Sequence, residues 1–387
     1  MTKRNDSWYN ERSELIRRCP MHCLDTNGPL ILFEQSVNSE IYVDKSLLIE
    51  QISPKIKTGN KYICVTRPRR FGKTVNANML AAYYTKGFDS HTIFDGLTIA
   101  GTKNYQTHLN RYHVIHMDLS RRPDPCDSYE AYIGYVKFQL TQDLERTYGL
   151  HAPEGVPIHD ILMETGDTFV FILDEWDSAF YETFMGQKEK IHYLKFLKGL
   201  LKDQPYVDLA YMTGVLPIAK YSSGSELNMF EEYSFINDNV YDDYFGFTGD
   251  EVKALCQKTQ KVSYEELADW YDGYRTSNGE SLFNPRSVIN TLTRGVCLNY
   301  WTETGPMDEV ACCIEHNADE VREDVVRMVA GNPVRIRLEG YSASQEQMTT
   351  RNEILSAMTV YGFLSYHEGE LRIPNRELME KIKPLCG

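Results

Sequence analysis

The sequence predicts an α/β fold built on a parallel β-sheet, and two segments carry this prediction. In the first, the apolar run Tyr62–Thr66 leads through a basic loop into helical patterning at Thr74–Tyr84. In the second, Thr168–Leu173 is apolar throughout, as expected of a strand buried on both faces, and it ends at Asp174-Glu175. Strands that alternate with helices form parallel sheets, whose ligands bind at the carboxyl ends of the strands.

The loop after the first strand has the composition of a phosphate-binding loop. Its residues are Arg67, Pro68, Arg69, Arg70, Phe71, Gly72, Lys73 and Thr74. Gly72 lets the backbone approach an anion, Lys73 can reach the outer phosphates of a nucleotide, and the Thr74 hydroxyl can ligate Mg²⁺. The N-terminal amides of the following helix point at the same anion. Because Gly-Lys-Thr is also common in surface turns, the flanking strand and helix are what favour a nucleotide site.

The second segment has the pattern of a magnesium-binding strand end. Asp174 is expected to hold Mg²⁺, usually through water, and Glu175 to polarise the attacking water. The alternative is that the two carboxylates open a turn or cap a helix. A third strand, Leu209–Met212, ends at Thr213, which can sense the γ-phosphate, although threonine is also an ordinary strand residue. The three strand ends place Lys73, Asp174 and Thr213 on one edge of the sheet.

A series of short motifs runs through both halves of the chain. They are Tyr42–Ser46, Thr66–Thr74, Leu173–Asp177, Met212–Lys220, Leu227–Phe230, Tyr244–Thr248, Trp270–Tyr274, Asn284–Val288, Tyr300-Trp301 and Ile373–Glu377. Together they resemble the AAA-ATPase-like family, from about Ser39 to the C-terminus. The family carries Arg-Pro-Arg-Arg-Phe-Gly-Lys-Thr where other phosphate loops begin with glycine, which accounts for Arg67. Many members also have a C-terminal nuclease-like domain of the PD-(D/E)xK type, which we do not expect in this sequence.

The resemblance implies ATP and Mg²⁺ as cofactors and the hydrolysis of ATP to ADP and phosphate, which would drive or gate a conformational change. Arg69 or Arg70 would neutralise charge in the transition state. Arg286, at a helix start in the lid, would act as a second sensor of the γ-phosphate. Asp44, in the first motif, would touch the nucleotide or only fix its own loop. Two alternatives stay open: an ATP-binding switch with little turnover, and a nucleic-acid processing protein, which depends on the missing nuclease domain.

We expect four parts along the chain. They are an N-terminal extension at residues 1–38, a P-loop NTPase core at 39–222, a helical lid at 223–335 and a winged-helix-like unit at 336–387. In the last part, a helix at Asn352–Tyr361 precedes two short strands that can pair across His367–Glu370, and Asn375 can cap a final helix. The acidic turn between the strands favours packing over DNA binding.

The composition of the chain limits the kinds of partner that it is expected to bind. The chain has 387 residues and a net charge of −14, from 41 basic and 55 acidic side chains, so its overall field repels nucleic acid. No apolar run approaches the roughly 20 residues of a membrane span, and we expect a soluble, cytoplasmic protein that does not bind membranes. ATP is the expected ligand, and a protein partner or self-association is compatible with the sequence.

Three smaller patterns have ordinary explanations. Glu251-Val252-Lys253 resembles the Glu-x-Lys of a nuclease, but Thr248 and Glu251 form a capping box at a helix start. Cys19, His22 and Cys23 are three soft ligands without a second pair at zinc-finger spacing, so thiols outside a metal site are expected. The aromatic residues at Trp270–Tyr274 and Tyr300-Trp301 could stack on a base, although packing is their commoner use.

Overall fold

The computed structural model describes residues 22–153, 155–218, 226–236, 238–301, 318–336 and 350–386. The chain divides into two compact units that interleave along the sequence. The first unit contains the described part of Met1–Gln35, with Ile49–Tyr62 and Ala77–Met212, and the second contains the described parts of Ser36–Leu48, Ile63–Asn76 and Thr213–Gly387. The division into four parts therefore stays a prediction.

The helices and strands have the following bounds. The helices are α1 (Gly28–Val37), α2 (Leu48–Ile52), α3 (Lys73–Tyr84), α4 (His91–Phe94), α5 (Tyr105–His108), α6 (Tyr129–Tyr148), α7 (Ile158–Glu164), α8 (Gln187–Leu201), α9 (Gly249–Thr259), α10 (Tyr264–Tyr271), α11 (Pro285–Arg294), α12 (Ala318–Val329), α13 (Arg351–Val360) and α14 (Arg376–Ile382). The strands are β1 (Tyr62–Thr66), β2 (His113–Asp118), β3 (Phe169–Asp174), β4 (Val207–Gly214), β5 (Glu231–Ser234), β6 (Phe247–Thr248), β7 (Tyr274–Arg275), β8 (Ser281–Phe283), β9 (Val334–Arg335), β10 (Ser365–His367) and β11 (Glu370–Arg372).

The largest sheet in the described part of the chain has five strands in the order β2-β3-β4-β1-β5. The pairs β1 with β5, β2 with β3, and β3 with β4 are parallel. Strands β1, β3 and β4 are buried along their whole length, as their continuous apolar runs predict. The predicted α/β fold with a parallel sheet is therefore confirmed. The sequence did not predict β5, whose Glu-Glu-Tyr-Ser has no apolar pattern and is only half buried.

Both ends of helix α6 carry clear sequence signals. Ser128 caps its N-terminus by accepting a hydrogen bond from the Ala131 N–H at 3.1 Å. Gly149 takes the left-handed conformation that ends the helix, with φ at 66°. Among the described helices, none combines the length and apolar character needed to cross a bilayer.

A buried carboxylate on α6 binds the first residues that the structure describes. Asp143 Oδ2 accepts hydrogen bonds from the backbone N–H groups of His22, Cys23 and Leu24, at 2.8, 2.6 and 3.1 Å. Burial, followed by the charge of Asp143, raises the pKa of the Cys23 thiol to about 12. Cys19 lies outside the described residues, and among the described ones no group of three His, Cys, Asp or Glu side chains is placed to hold a metal.

The second unit contains helices α9 to α14 and, within its described residues, two small three-stranded sheets. The capping box at the start of α9 is confirmed, with Thr248 and Glu251 each accepting a backbone N–H. Strands β10 and β11 pair antiparallel across the turn at Glu368-Gly369, as predicted. Asn375 caps α14 by accepting the Leu378 N–H at 3.1 Å. The local predictions for this region are thus confirmed, and the winged-helix description stays a prediction.

Candidate phosphate-binding site

The loop between β1 and α3 has the backbone of an anion-binding turn. Arg70 and Gly72 both have positive φ angles, of 73° and 88°. A Cβ on Gly72 would meet nothing within 4 Å, so glycine is required there by the backbone conformation and not by lack of space. Helix α3 begins at the next residue, and the Gly72 carbonyl accepts the Asn76 N–H at 3.0 Å. The first amides of α3 therefore follow directly on the turn.

The ammonium group of Lys73 folds back over this loop. Lys73 is 4% exposed, and its Nζ donates to the carbonyl oxygens of Arg67 at 3.1 Å and Pro68 at 3.2 Å. An ammonium has three N–H donors, so these two bonds leave a third for an anion. Thr74, the next residue, is exposed, and its hydroxyl lies in the first turn of α3. The structure thus places one buried cation and one accessible hydroxyl at the start of the helix.

Arg67, which stands where other phosphate loops have glycine, directs its side chain into the protein. Its guanidinium is 1% exposed, donates to the carbonyls of Thr66 at 2.8 Å and Tyr233 at 2.9 Å, and forms an ion pair with Asp238. It also lies 4.9 Å from the centroid of the Phe245 ring. The Arg67 guanidinium is therefore bound by residues of the second unit. Asp238 stands in no recognisable sequence motif.

Two arginines of the loop, Arg69 and Arg70, lie near a third arginine, Arg286, from α11. Partial burial, and then the nearby positive charges of Arg286 and Arg69, lower the pKa of Arg70. Arg286 is fixed at the start of α11, where its Nε donates to the Tyr300 carbonyl at 3.3 Å. The structure therefore brings Arg286 toward the loop, although the two are more than 200 positions apart in the sequence. A group of like charges favours an anion among them.

Thr213 and Asp44 have different surroundings. Thr213 is fully buried, and within the described residues its Oγ1 has no hydrogen-bond partner. A buried hydroxyl without a partner is uncommon and marks a place where a further polar group can bind. Asp44 accepts the Ser46 N–H at 2.8 Å, and the neighbouring Lys45 binds the Glu251 carboxylate at 2.6 Å. In this structure, Asp44 and Lys45 fix their own segment.

The two carboxylates after β3 belong to the first unit. Asp174 is 2% exposed, and its Oδ1 accepts the Glu175 N–H at 3.1 Å. Glu175 has a φ of 54°, a left-handed conformation that is unfavourable for a glutamate by roughly 1 kcal/mol or more. The Asp174 carbonyl accepts the Leu119 N–H at 3.0 Å, and the Leu119 carbonyl accepts the Ser178 hydroxyl at 2.8 Å. The strained residue is thus held between two hydrogen-bonded neighbours, as functional residues in strained conformations often are.

Residues 33–223 match the protein family described as Predicted AAA-ATPase. This stretch belongs to the AAA-ATPase-like family. The AAA-ATPase-like stretch contains Arg67–Thr74, Asp174, Glu175 and Thr213, whereas Arg286 lies outside it. The match confirms the resemblance seen in the sequence over the residues that it covers. The parts that individual residues play in binding stay predictions.

Two solved structures are similar to this chain at low identity. The Walker-type ATPase of Pyrococcus abyssi is 10% identical, with 88% of this chain and 94% of that chain covered and a TM-score of 0.44. The ORC2 protein of Aeropyrum pernix, in its ADPNP-ADP complexes, is 11% identical over 91% of this chain and 97% of that chain, with a TM-score of 0.39. No curated protein sequence matches the chain.

Proposed function

We propose that the chain binds Mg·ATP at the loop formed by Arg67–Thr74 and hydrolyses it to ADP and phosphate, and that this cycle drives or gates a conformational change. One observation carries the proposal. The Lys73 ammonium lies over a turn in which Gly72 has a positive φ angle and from which α3 begins. A cation, open backbone amides and a helix N-terminus together suit the outer phosphates of a nucleotide.

The loop residues bind the phosphates and Lys73 stabilises their negative charge. The backbone at Pro68, Arg69 and Phe71 shapes the turn, and Arg70 neutralises charge that develops in the transition state. The grouping of Arg69 and Arg286 with Arg70 supports this placement of positive charge. Arg67 contributes through its buried side chain, which fixes the first residue of the loop.

The residues proposed for Mg²⁺ are oxygen donors of the kind that this ion prefers. Mg²⁺ is usually held by one or two carboxylates together with phosphate oxygens and water. The accessible Thr74 hydroxyl and the Asp174 carboxylate fit that ligand set. When bound, the ion would neutralise charge on the phosphates.

Glu175 and Thr213 serve the hydrolytic step. A water oxygen bonds to the γ-phosphorus while the bond from that phosphorus to the β–γ bridging oxygen breaks, and the bridging oxygen leaves with ADP. Glu175 orients the water and accepts its proton. Thr213 binds a γ-phosphate oxygen, an assignment supported by its buried hydroxyl, which lacks a partner among the described residues.

A binding switch with little turnover is the second candidate. The observation that favours it is the ion pair between Arg67 and Asp238, which fixes the first loop residue where other phosphate loops have a flexible glycine. This alternative keeps the same ligand and the same loop. It differs only in predicting that bound ATP persists.

The test is a binding isotherm for Mg·ATP followed by a phosphate-release assay on the same sample, with and without nucleic acid. Lys73→Ala should weaken binding by roughly 100-fold, because it removes a charge-assisted hydrogen bond and the positive charge over the loop. Lys253→Ala is the matched control, since Lys253 is exposed, pairs with Asp250 and lies over the Tyr264 ring, and none of these residues belongs to the proposed site. Equal affinities of the parent and Lys73→Ala for Mg·ATP would refute the proposal. Binding by the parent without phosphate release would select the switch.

A further inference from the structure

One carbonyl of the phosphate loop is bound by side chains from outside the loop. The Arg69 oxygen accepts the indole Nε1–H of Trp301 at 3.3 Å and the Nδ2–H of Asn284 at 3.5 Å. All three residues belong to the second unit. The indole contact is the shorter one, so Trp301 is the principal partner of this carbonyl.

Trp301 is itself held in place. It is 3% exposed, and its ring centroid lies 5.2 Å from that of Phe363. Its backbone N–H donates to Glu377 Oε1 at 2.8 Å, and the same buried carboxylate accepts the Tyr300 N–H at 2.7 Å and the Ser287 hydroxyl at 2.9 Å. These contacts leave the indole little freedom, so its N–H has a fixed direction.

The hydrogen bond to the Arg69 carbonyl also orients an N–H group of the loop. The Arg69 carbonyl and the Arg70 N–H belong to one planar peptide unit, and in a trans peptide they point in opposite directions. A donor that holds the carbonyl on one side therefore turns the Arg70 N–H to the other side. The left-handed conformation of Arg70 is part of the same local geometry.

We propose that Trp301 is a positioning residue for phosphate binding: its indole N–H holds the Arg69 carbonyl, so that the Arg70 N–H faces the bound nucleotide phosphate. This inference rests on the proposed function of the loop. It assigns an effect on nucleotide affinity to a residue outside the AAA-ATPase-like stretch. The effect acts through one peptide unit and does not require Trp301 to touch the ligand.

The experiment removes the indole N–H while keeping an aromatic ring. Trp301→Phe in the full chain should weaken Mg·ATP binding by about 3- to 10-fold, which is the effect of losing one hydrogen bond. Trp270→Phe is the matched control, because it makes the same substitution at a tryptophan outside the phosphate loop. The Trp270 ring packs under the guanidinium of Arg376 at 4.2 Å. Its affinity should stay within about twofold of the parent. Calorimetry well below the unfolding temperature gives both values.

A spectroscopic measurement separates positioning from a general loss of stability. In protein labelled with ¹⁵N-tryptophan, the indole resonance that disappears in Trp301→Phe should shift when Mg·ATP binds, whereas the Trp270 resonance should stay in place. If Trp301→Phe folds poorly, benzothienylalanine at position 301 keeps the shape of the ring and replaces only the N–H with sulfur. It should show the same 3- to 10-fold loss of affinity.

The outcomes distinguish this inference from the function on which it rests. If the parent binds Mg·ATP, Lys73→Ala does not, and both Trp301 variants bind like the parent, the positioning role is wrong and the function stands. An unshifted Trp301 resonance in the saturated complex also counts against the role. If the parent itself binds no Mg·ATP, the proposed function and this inference fall together.

Discussion

Gly362 lies against the phosphate loop, and a single methyl group tests that contact. Gly362 follows α13 and has a φ of 84°. A Cβ there would stand 2.8 Å from the Cβ of Pro68 and 3.1 Å from its Cγ, well inside the ordinary carbon–carbon distance of about 3.5–4.0 Å. The proline ring cannot rotate away as a flexible side chain can. We expect Gly362→Ala to lose about 1 kcal/mol from the backbone conformation and about 1–3 kcal/mol more from the overlap.

Gly369 provides the matched control for this substitution. It has almost the same φ, 81°, and a Cβ there would meet nothing within 4 Å. Gly369→Ala should therefore lose only the backbone contribution of about 1 kcal/mol. The free energies of unfolding, measured in urea by circular dichroism and tryptophan fluorescence, should differ by about 1–3 kcal/mol between the two variants. Equal destabilisation would refute the contact between Pro68 and Gly362.

The other predictions concern the carboxylates after β3 and a half-buried histidine. Asp174→Ala should weaken Mg²⁺-dependent ATP binding, whereas Glu175→Gln should keep binding and lower phosphate release by roughly 100-fold; turnover at the parental rate in both variants would show that these roles are wrong. Burial lowers the pKa of His116 to about 4, from about 6.5 in the unfolded chain. Since the folded pKa is the lower one, the stabilisation is complete above pH 6.5 and is lost as pH falls toward 4, by up to about 3 kcal/mol. His116→Asn should flatten that part of the profile of urea midpoints against pH, and an unchanged slope would contradict the assignment.

The elements that could be predicted from the sequence carry their signal locally. Helix α6 has a serine cap before it and a glycine after it, and β3 is an unbroken apolar run. Helix α8 begins at Gln187 with a polar first turn that has no apolar pattern, so the start of this helix could not be predicted from the sequence. Strand β5 was not predicted, since its place in the sheet depends on pairing with β1 and not on its own residues.

The candidate site also contains residues with a local sequence signal and residues whose contacts depend on tertiary structure. Gly72 and Lys73 could be predicted as site residues because they are adjacent in the sequence and belong to one short motif between a strand and a helix. The partner of Arg67 could not be predicted, because Asp238 is 171 positions away and stands in a stretch without a pattern. Trp301 was expected to be a packing residue, which it is, but its hydrogen bond to the Arg69 carbonyl depends on tertiary structure.

The buried pair of Arg67 and Asp238 has a consequence for related sequences. The Asp238 carboxylate also accepts the N–H groups of Val240 and Tyr241, at 2.7 and 2.8 Å, so its position is fixed whether or not the guanidinium is present. A change to glycine at position 67 alone would leave a buried charge unpaired, at a cost of about 3–5 kcal/mol. The two positions should therefore change together during evolution. A relative that carries the glycine of an ordinary phosphate loop at the position of Arg67 is expected to have lost the acid at the position of Asp238 as well.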